Sequence, residues 1–537
     1  MRPEHREGAR DDAARRVAER HIAEAAELGE DYLEALLNDT LYHEQRRLER
    51  ENPSDPKTRA ELAFYANLRR ELHRLHGFDL ENALGRVTRR FADEIVGNFD
   101  ERVYQLTTTV LPPALSVLLS AASPRQLLAG SVRQRLSEHI QIQGSIDHAK
   151  KLLDHGTLIV VPTHSSHLDS IVLGYAIFLM GMPPLLYGAG LNLFTNPLTS
   201  FFMHNLGAYR VDRKKSASLY KDVLKEYAVR SLELGYSNLF FPGGTRSRSG
   251  GLEQKLKKGL LGTGISAYVN NLKTGRAKPN LYVVPCTISY KLVLEAETLI
   301  DDYLKEVGKS RYIIEDDEFS KPRRVLKFLS NVISLDSRIV ITFSAPLDIV
   351  GNRVDSEGRS IDARGRIVDP LSYVARDGQP VHDEQRDNQY TTELSDAIVS
   401  AFRRDNVVMS THVVGHASMA LLKLKNPELD LYRLLRTGGS LPSLEISELA
   451  EQVERVTTAL RELKNGPRLG RELEQRDPRL IIDDALRYFG TYHTQPAAIR
   501  RGSRIVHQDR NLLLYYGNRL SPYELGRRLG SAYVQAA

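Results

Sequence analysis

The chain has 537 residues, of which 41% are hydrophobic and 26% charged, so it is a globular protein long enough for more than one domain. Its net charge of +6 and pI of about 9.0 suit an anionic partner such as a phosphate ester, an acidic carrier protein or an anionic membrane surface. Nucleic acid is not required, since acidic residues nearly balance basic ones. The single cysteine excludes an intrachain disulfide and any cysteine-rich metal cluster, and it fits a reducing cytosol.

The N-terminal region, residues 1–130, is predicted to be helical. It is rich in Glu, Arg, Ala and Leu, and Leu33, Leu36, Leu37 and Leu41 repeat at helical spacing. The charged N-terminus lacks the apolar stretch of a signal peptide, so we expect none.

Two stretches without any Asp, Glu, Lys or Arg stand out, residues 103–124 and 170–209. Prolines interrupt both, so neither is predicted to be a spanning helix of about 20 apolar residues. Burial in the core is one interpretation of these stretches. An acyl-chain groove, or a face that dips into a membrane, is the other.

Residues 131–350 are predicted to form an α/β domain with a mostly buried sheet covered by helices. Apolar β-rich runs alternate with helical runs here, which is typical of layered α/β folds. Buried strands are predicted at residues 157–161, 238–241, 281–284 and 338–342, with helices at residues 217–234 and 257–269.

The remaining chain divides into a polar linker or excursion, residues 351–389, and a helical C-terminal region, residues 390–537. The linker is rich in Gly, Asp and Arg. Apolar residues from Ile446 to Leu463 step by three and four, which predicts a helix packed against another helix. The run RNLLLYYGNRL, residues 510–520, is predicted to be a further buried element.

The stretch VPTHSSHLDS, residues 161–170, follows a predicted buried strand and precedes an apolar run. Ligand sites of α/β sheets gather at such carboxyl ends. His164 and Asp169 have the spacing of a general base and the carboxylate that orients it, with Ser166 and His167 in support. Two alternatives remain open: a helix cap formed by Ser or Asp, and a metal site at the two histidines and Asp169, which lacks a recognisable third-ligand motif.

The stretch FPGGTRSRSG, residues 241–250, also follows a predicted buried strand. Its glycines permit an open backbone whose amides can bind an anion. Arg246 and Arg248 offer donors that suit phosphate oxygens, and Lys257 can add positive charge. The order of residues is not that of a Walker loop, and a basic solvated turn is the alternative interpretation.

Two further stretches carry weaker signals. NLGAYRVDR ends a charge-free run with Arg210 and Arg213, which alone would be read as surface residues. VVPCTISY has Pro285 within an apolar strand, which predicts an edge strand or a bulge. Cys286 is expected to be packed rather than nucleophilic, because no neighbouring feature lowers its pKa.

These four blocks stand in the order and spacing of the glycerolipid acyltransferases, and the chain most closely resembles the bacterial membrane-bound glycerol-3-phosphate acyltransferase branch. HSSHLD resembles the family's H-x-x-x-x-D block, GAYRVDR its second block, FPGGTRSRSG its third and VPCTISY its fourth. YKLVLEAETLIDDYLKEVG and the C-terminal LLLYYGNRL also resemble this branch. The resemblance covers residues 150–345 well and the flanks loosely.

The resemblance implies transfer of an acyl group from acyl-CoA or acyl-acyl carrier protein to the 1-hydroxyl of glycerol-3-phosphate, the first step of phospholipid synthesis. His164 would be the general base and Asp169 its orienting partner. Substrate binding would fall to Arg246, which would hold the acceptor phosphate, and to Arg213, Arg248, Lys257, Gly244, Ser247, Ser166 and Pro285. No cofactor, metal or covalent acyl-enzyme is implied, and the expected location is peripheral, at the cytoplasmic face of the bacterial inner membrane.

One position departs from the family pattern. The third block normally begins with glutamate, whereas this chain has Gly243, which leaves the arginines with less nearby negative charge and favours a doubly charged phosphate. Other functions remain open at this level. They are an acyltransferase acting on lysophosphatidate or dihydroxyacetone phosphate, a metal-dependent hydrolase, and a non-catalytic lipid- or phosphate-binding protein.

Overall fold

The computed structural model of the protein describes nine stretches of the chain: residues 1–29, 31–52, 54–105, 140–191, 204–307, 339–439, 443–474, 477–490 and 493–528. Most of the charge-poor stretch 103–124, and residues 192–203 of the second such stretch, lie outside the described residues. Among the described residues, no helix is both long enough and apolar enough to cross a membrane.

Helices form the described N-terminal part of the chain: α1 (Pro3–Leu28), α2 (Asp31–Leu48), α3 (Pro56–Leu72) and α4 (Phe78–Ile95). Of the four leucines that predicted a helix, Leu33, Leu37 and Leu41 are buried on α2, and Leu36 is half-buried. Asp55 caps α3 by accepting a hydrogen bond from the Thr58 amide at 3.2 Å. The four helices share one apolar core with a helix of the central domain, so this part of the chain packs directly against the sheet domain.

A seven-stranded sheet forms the centre of the structure. Its strands are β1 (Ile140–Gly144), β2 (Gly156–Pro162), β3 (Leu186–Gly190), β4 (Ala208–Val211), β5 (Asn238–Leu239), β6 (Asn280–Tyr290) and β7 (Ile339–Phe343). They lie in the order β1-β7-β6-β2-β5-β3-β4. The five strands from β6 to β4 run parallel, whereas β7 is antiparallel to β6 and β1 is parallel to β7. The predicted α/β fold is confirmed.

Helices cover both faces of this sheet: α5 (Ile146–Leu152), α6 (Asp169–Leu179), α7 (Ser218–Glu233), α8 (Lys258–Leu261), α9 (Thr263–Lys273) and α10 (Ala296–Val307). One sheet face packs with α6 and the C-terminal helices, and the opposite face packs with α7 and α9. Every predicted strand overlaps an observed one, because each predicted run is a short, mostly apolar and largely buried segment. The run 238–241 is the least accurate prediction, since β5 ends at Leu239.

Pro285 does not lie on an edge strand, since β6 is flanked by β2 and β7. The edge interpretation is therefore wrong, and the bulge interpretation fits. Val283 pairs with Leu347, and Cys286 pairs with Phe343. The segment from 343 to 347 therefore has one residue more than the segment of β6 that it pairs with. The extra residue opens the ladder beside the proline, which has no amide hydrogen to donate there.

Residues 353–380, within the polar stretch, form short antiparallel pairs: β8 (Arg353–Val354), β9 (Ser360–Ile361), β10 (Ile367–Val368), α11 (Leu371–Val374), β11 (Ala375–Arg376) and β12 (Gln379–Pro380). Aspartates build the turns between them. Asp355 accepts the amide of Arg359 at 2.9 Å, and Asp362 accepts that of Arg366 at 2.9 Å. The glycines and aspartates that indicated a linker thus form turns of a small β excursion.

The C-terminal part is mostly helical. Its elements are α12 (Glu384–Asp405), β13 (Val407–Val408), α13 (Ser410–Lys425), α14 (Leu431–Thr437), β14 (Ser443–Glu445), α15 (Ile446–Arg461), β15 (Arg468–Leu469), a 3-10 turn (Arg471–Leu473), α16 (Pro478–Phe489), β16 (Ala498–Arg501), β17 (Arg504–His507), α17 (Arg510–Gly517), a 3-10 helix (Asn518–Tyr523) and α18 (Leu525–Arg528). Nearly all of α13 is buried, and it packs against α15, α16 and α17. The predicted apolar seam lies on α15, where Leu449, Val453, Val456 and Leu460 are buried. This core is continuous with one face of the sheet.

Candidate active site

The candidate site lies at one edge of the sheet, where parallel strands end. His164 follows β2, Arg213 follows β4, the glycine-rich stretch follows β5, and Glu295 follows β6. These strands all run in the same direction, so their carboxyl ends meet at one edge. Segments far apart in the sequence are thereby brought to one place.

His164 and Asp169 form a buried pair. The Nδ1 atom of His164 donates to Oδ2 of Asp169 at 2.8 Å. The same carboxylate oxygen accepts the amides of Ser165 at 2.7 Å and Ser166 at 2.9 Å, and Oδ1 accepts the Tyr290 hydroxyl at 2.6 Å. Asp169 is fully buried and held from four directions. The pair therefore fixes the imidazole and directs Nε2 away from the carboxylate.

The structure bears on both alternative interpretations of residues 161–170, the helix cap and the metal site. The helix-cap interpretation is wrong, since the Asp169 carboxylate binds amides that precede α6, and no side chain caps this helix. For the metal interpretation, the described residues contain no group of three or more His, Cys, Asp or Glu side chains placed to hold an ion. The oxygens of Asp169 are already used by protein donors.

The His164 ring is held on one side by Phe241, with ring centroids 4.1 Å apart and planes at 24°. Its backbone is held from two further directions, because the Ser247 amide donates to the His164 carbonyl at 2.8 Å and the His164 amide donates to Oε1 of Glu253 at 2.6 Å. Burial lowers the pKa of His164, and nearby Arg246 lowers it further, while Asp169 opposes the shift. This shift favours the neutral imidazole, the form that can accept a proton.

Glu253 lies beside Gly243, the position at which the resemblance leads one to expect glutamate. A Cβ atom built on Gly243 would lie 3.0 Å from Cγ and 3.4 Å from Oε1 of Glu253. The site therefore contains a carboxylate next to position 243, supplied from ten residues further along the chain. A carboxyl group thus lies at this place although position 243 itself is glycine, and the expected effect of Gly243 on acceptor binding stays a prediction.

Arg246 contacts a second carboxylate that sequence reasoning missed. Its Nη1 lies 3.4 Å from Oε1 of Glu295, a fully buried residue. Glu295 also accepts the Ser166 hydroxyl at 2.8 Å and the His167 amide at 2.9 Å, so it joins the arginine loop to the histidine loop. Its signal lay in the segment YKLVLEAETL, which resembles the acyltransferase branch but carried no residue assignment.

The other predicted cationic residues divide into two groups. Desolvation lowers the pKa of Arg213, and the positive charge of Arg246 lowers it further, so the two cations influence each other electrostatically. Arg248 instead donates from Nη1 to Oε2 of Glu306 at 2.6 Å, at the exposed end of α10. The Lys257 side chain lies against Gly244. Arg213 is thus within electrostatic influence of Arg246, whereas Arg248 is turned towards α10.

The remaining predicted residues support the loops. Gly244 has φ of 79°, in the region that favours glycine, and the Ser247 hydroxyl donates to the Gly251 carbonyl at 2.6 Å. Ser166 donates to Glu295, as described above. Pro285 pairs in register with Val161 on β2, immediately before the histidine loop. Roles in substrate binding remain predictions for all four.

The loop that carries Arg213 is anchored to the N-terminal helices. Lys215 is buried, and its Nζ lies 2.8 Å from Oε2 of Glu44 and 2.7 Å from Oε2 of Glu94. Arg47 donates to the same Glu44 oxygen at 2.8 Å. This buried ionic cluster joins α2 and α4 to the segment two residues beyond Arg213.

The C-terminal part also contributes to the site. The buried Arg519 donates to the Ile288 carbonyl at 3.0 Å and to Oδ1 of Asn406 at 2.8 Å, and its Nη1 lies 3.4 Å from the Ser165 hydroxyl. A Cβ atom on Gly250, where φ is 79°, would overlap the Tyr515 carbonyl. Sequence reasoning missed these contacts, because they join segments that are hundreds of residues apart.

Comparison with known proteins identifies the class. Residues 140–289 match the family model described as Acyltransferase. This stretch holds the His164–Asp169 pair, the arginine-bearing loop and six of the seven strands of the sheet. The chain therefore carries a domain that matches the Acyltransferase family, in agreement with the class that the motifs predicted.

The particular relatives are proteins named glycerol-3-phosphate acyltransferase. The chain is 33% identical over 201 residues to that of Pasteurella multocida, covering 37% of this chain and 23% of the relative. It is 32% identical over 217 residues to that of Haemophilus ducreyi, covering 40% and 24%. It is 30% identical over 275 residues to that of Aeromonas hydrophila, covering 51% and 30%. The chain thus spans less than a third of the length of these relatives.

Proposed function

We propose that this protein transfers a fatty acyl group from acyl-CoA or acyl-acyl carrier protein to the 1-hydroxyl of glycerol-3-phosphate, the first step of phospholipid synthesis. The observation that carries the proposal is a histidine held by a buried carboxylate in a loop that Glu295 joins to Arg246. This combination serves an acceptor that bears both a hydroxyl and a phosphate. The names of the relatives support the same acceptor.

The transfer needs one base and no covalent intermediate on the protein. Nε2 of His164 takes the proton of the acceptor hydroxyl as its oxygen attacks the thioester carbonyl carbon. The carbon–sulfur bond then breaks, and the leaving thiolate receives the proton from the imidazolium. Asp169 stabilises the imidazolium charge through Nδ1 throughout the reaction.

The acceptor phosphate is assigned to Arg246 and Arg213. A guanidinium has five N–H donors, so Arg246 can bind a phosphate oxygen while it contacts Glu295. The positive charge of Arg246 disfavours the charged form of Arg213, and a bound anion offsets this effect, which favours a doubly charged phosphate. Arg248 is a weaker candidate, because it pairs with Glu306. Lys257 is exposed like Arg213 and lies against Gly244, so it is a further candidate.

An acyl-transfer assay tests the proposal. Purified protein with a labelled acyl thioester, carried on CoA or on acyl carrier protein, is offered glycerol-3-phosphate, lysophosphatidate or dihydroxyacetone phosphate in parallel. We expect transfer to glycerol-3-phosphate, and preference for another acceptor would reassign the substrate. Absence of transfer to all three would overturn the proposal. Stoichiometric zinc or manganese, with activity lost on chelation, would instead favour a metal-dependent hydrolase.

The His164→Gln variant gives the matching test of the base. Loss of a general base lowers the turnover number by about 10²–10⁴-fold, whereas the fold should be retained. His155→Gln is the control, because His155 is an exposed histidine of the same domain that follows α5. Equal activity of His164→Gln and the parent protein would favour the non-catalytic binding alternative.

The proposal includes peripheral attachment to the cytoplasmic face of the bacterial inner membrane. The net charge of +6 and the charge-poor stretches of the sequence support this location. Flotation with vesicles of anionic lipid, against vesicles of neutral lipid, tests it. We expect binding to anionic vesicles that weakens with added salt, because salt screens exposed charges over a Debye length of about 10 Å at 0.1 M. If as much protein floats without vesicles as with anionic vesicles, membrane attachment is refuted.

A further inference from the structure

Glu253 joins the two loops of the site but belongs to neither of the motifs that predicted them. It lies in the segment between the glycine-rich stretch and α8, and its Oε1 accepts the His164 amide at 2.6 Å. Nearby, the Lys257 amide donates to the Pro242 carbonyl at 2.7 Å, which folds this segment back over the stretch that carries Arg246. The carboxylate therefore lies between the base and the arginine loop.

The second oxygen of this carboxylate, Oε2, is buried without a hydrogen-bond partner within the described parts of the chain. A buried polar atom without a partner typically costs about 1–3 kcal/mol. Leucine or methionine at this position would avoid that cost while filling a similar volume. The arrangement therefore indicates that the carboxylate has a role beyond packing.

We propose that Glu253 is the positioning residue that fixes His164 relative to the arginine loop. The inference rests on the proposed function, since it assigns Glu253 a part in the same transfer. The Glu253 carboxylate binds the main chain of the base directly, whereas Asp169 binds the imidazole and Phe241 supports its face. Without Glu253 the ring keeps Asp169 but loses one of its two main-chain anchors.

The geometry at position 243 offers a sharp test. A Cβ atom on Gly243 would point at the Glu253 carboxylate, and φ of Gly243 lies outside the region reserved for glycine. A glutamate at position 243 can therefore place its carboxylate near the His164 amide once the Glu253 side chain is removed. The double variant Gly243→Glu with Glu253→Ala moves the carboxylate from one loop position to the other.

Hydrogen exchange of peptides that contain His164 reports on the hydrogen bond itself, without reference to activity. We expect faster exchange at this amide in Glu253→Ala, and protection restored in the double variant. Glu253→Gln keeps an acceptor oxygen and should retain most of the protection. Gln254→Ala, at the exposed neighbouring residue, is the matched control and should exchange as the parent does.

Steady-state kinetics measures the consequence for transfer. A displaced base lowers the turnover number with little change in acceptor KM, and a loss of about 10–10²-fold is expected for Glu253→Ala. The double variant should recover at least tenfold, with Glu253→Gln intermediate. Thermal unfolding of each variant separates misplacement of the base from general loss of structure.

Two results would overturn the inference: unchanged exchange at His164 in Glu253→Ala, or an unchanged turnover number in that variant. A folded double variant that exchanges and turns over like Glu253→Ala would also overturn it. If the double variant does not fold, the exchange rates and turnover numbers of Glu253→Ala and Glu253→Gln are compared instead, and equal values in the two variants would overturn the inference. A parent protein without acyl transfer would refute the proposed function alone, because the exchange measurement would still test the hydrogen bond.

Discussion

Replacing Glu253 by glutamine removes one ionisable group from the site while keeping the shape and the acceptor oxygen that binds His164. Burial raises the pKa of Glu253 to about 7, against the opposing influence of the His164 amide and of Arg519. The unpartnered Oε2 gives this shift a structural cause, because an ionised oxygen without a donor is poorly stabilised. The substitution should therefore change how stability depends on pH.

The direction of this pH dependence follows from which state, folded or unfolded, binds the Glu253 proton more tightly. The folded-state pKa of Glu253, about 7, lies above the unfolded value of 4.5, so the folded state holds this proton more tightly. Stability from this group is fully present below pH 4.5 and is lost as the pH rises towards 7. One pKa unit corresponds to about 1.4 kcal/mol, so the whole shift corresponds to about 3 kcal/mol. Glutamine does not titrate and lacks this loss.

Denaturant unfolding of both proteins at several pH values between about 5 and 8 gives the measurement. The difference in unfolding free energy between Glu253→Gln and the parent should move in favour of the variant by about 3 kcal/mol as the pH rises. Other titrating groups are common to both proteins and cancel in this difference. Parallel stability curves for the two proteins would refute the reasoning, because they would mean that Glu253 has an ordinary pKa when folded.

Three further predictions concern other parts of the site. The value of kcat/KM should fall on acidification with a midpoint below 6.5, because burial lowers the pKa of His164, and a midpoint above 6.5 in the pH–rate profile would contradict this. Lys215→Met should lower the unfolding free energy by about 3 kcal/mol, because buried carboxylates of the N-terminal helices lose the Lys215 ammonium as a partner. Lys214 is exposed, so Lys214→Met should change the unfolding free energy by less than about 0.5 kcal/mol. Gly250→Ala should destabilise the protein and reduce transfer more than Gly365→Ala. Both glycines have φ of 79°, but only Gly365 has open space around it. Equal losses in the two variants would exclude overlap with the Tyr515 carbonyl as the cause.

The fold could be predicted from the sequence to the extent that local pattern determines it. The apolar run at residues 157–161 predicted a strand and lies in β2, and the predicted helix at residues 217–234 corresponds to α7. Pro285 was ambiguous, because a proline in an apolar run is compatible with an edge or with a bulge, and only the neighbouring strand distinguishes them. The order of strands in the sheet depends on pairing between distant segments, which local pattern does not encode.

The site was predictable where its residues lie within one short motif. The spacing of His164 and Asp169 spans a single turn, and the two are indeed hydrogen-bonded. Glu295 was missed, because a glutamate is usually exposed, and its burial depends on the loops that pack over it. Arg248 shows the converse limit, since its motif suggests phosphate binding while its side chain pairs with Glu306.

The loops of the site also depend on a C-terminal segment that lies beyond the matched stretch, residues 140–289. Asn518 donates from Nδ2 to the Ser249 carbonyl at 2.9 Å, in the loop that carries Arg246. The next residue, Arg519, contacts Ser165 in the loop that carries the base. Because one short buried segment touches both loops, it fixes their distance from each other more directly than the sheet edge does. Transfer between two bound substrates requires that distance to stay constant, so the C-terminal helices belong to the site as much as the strands do.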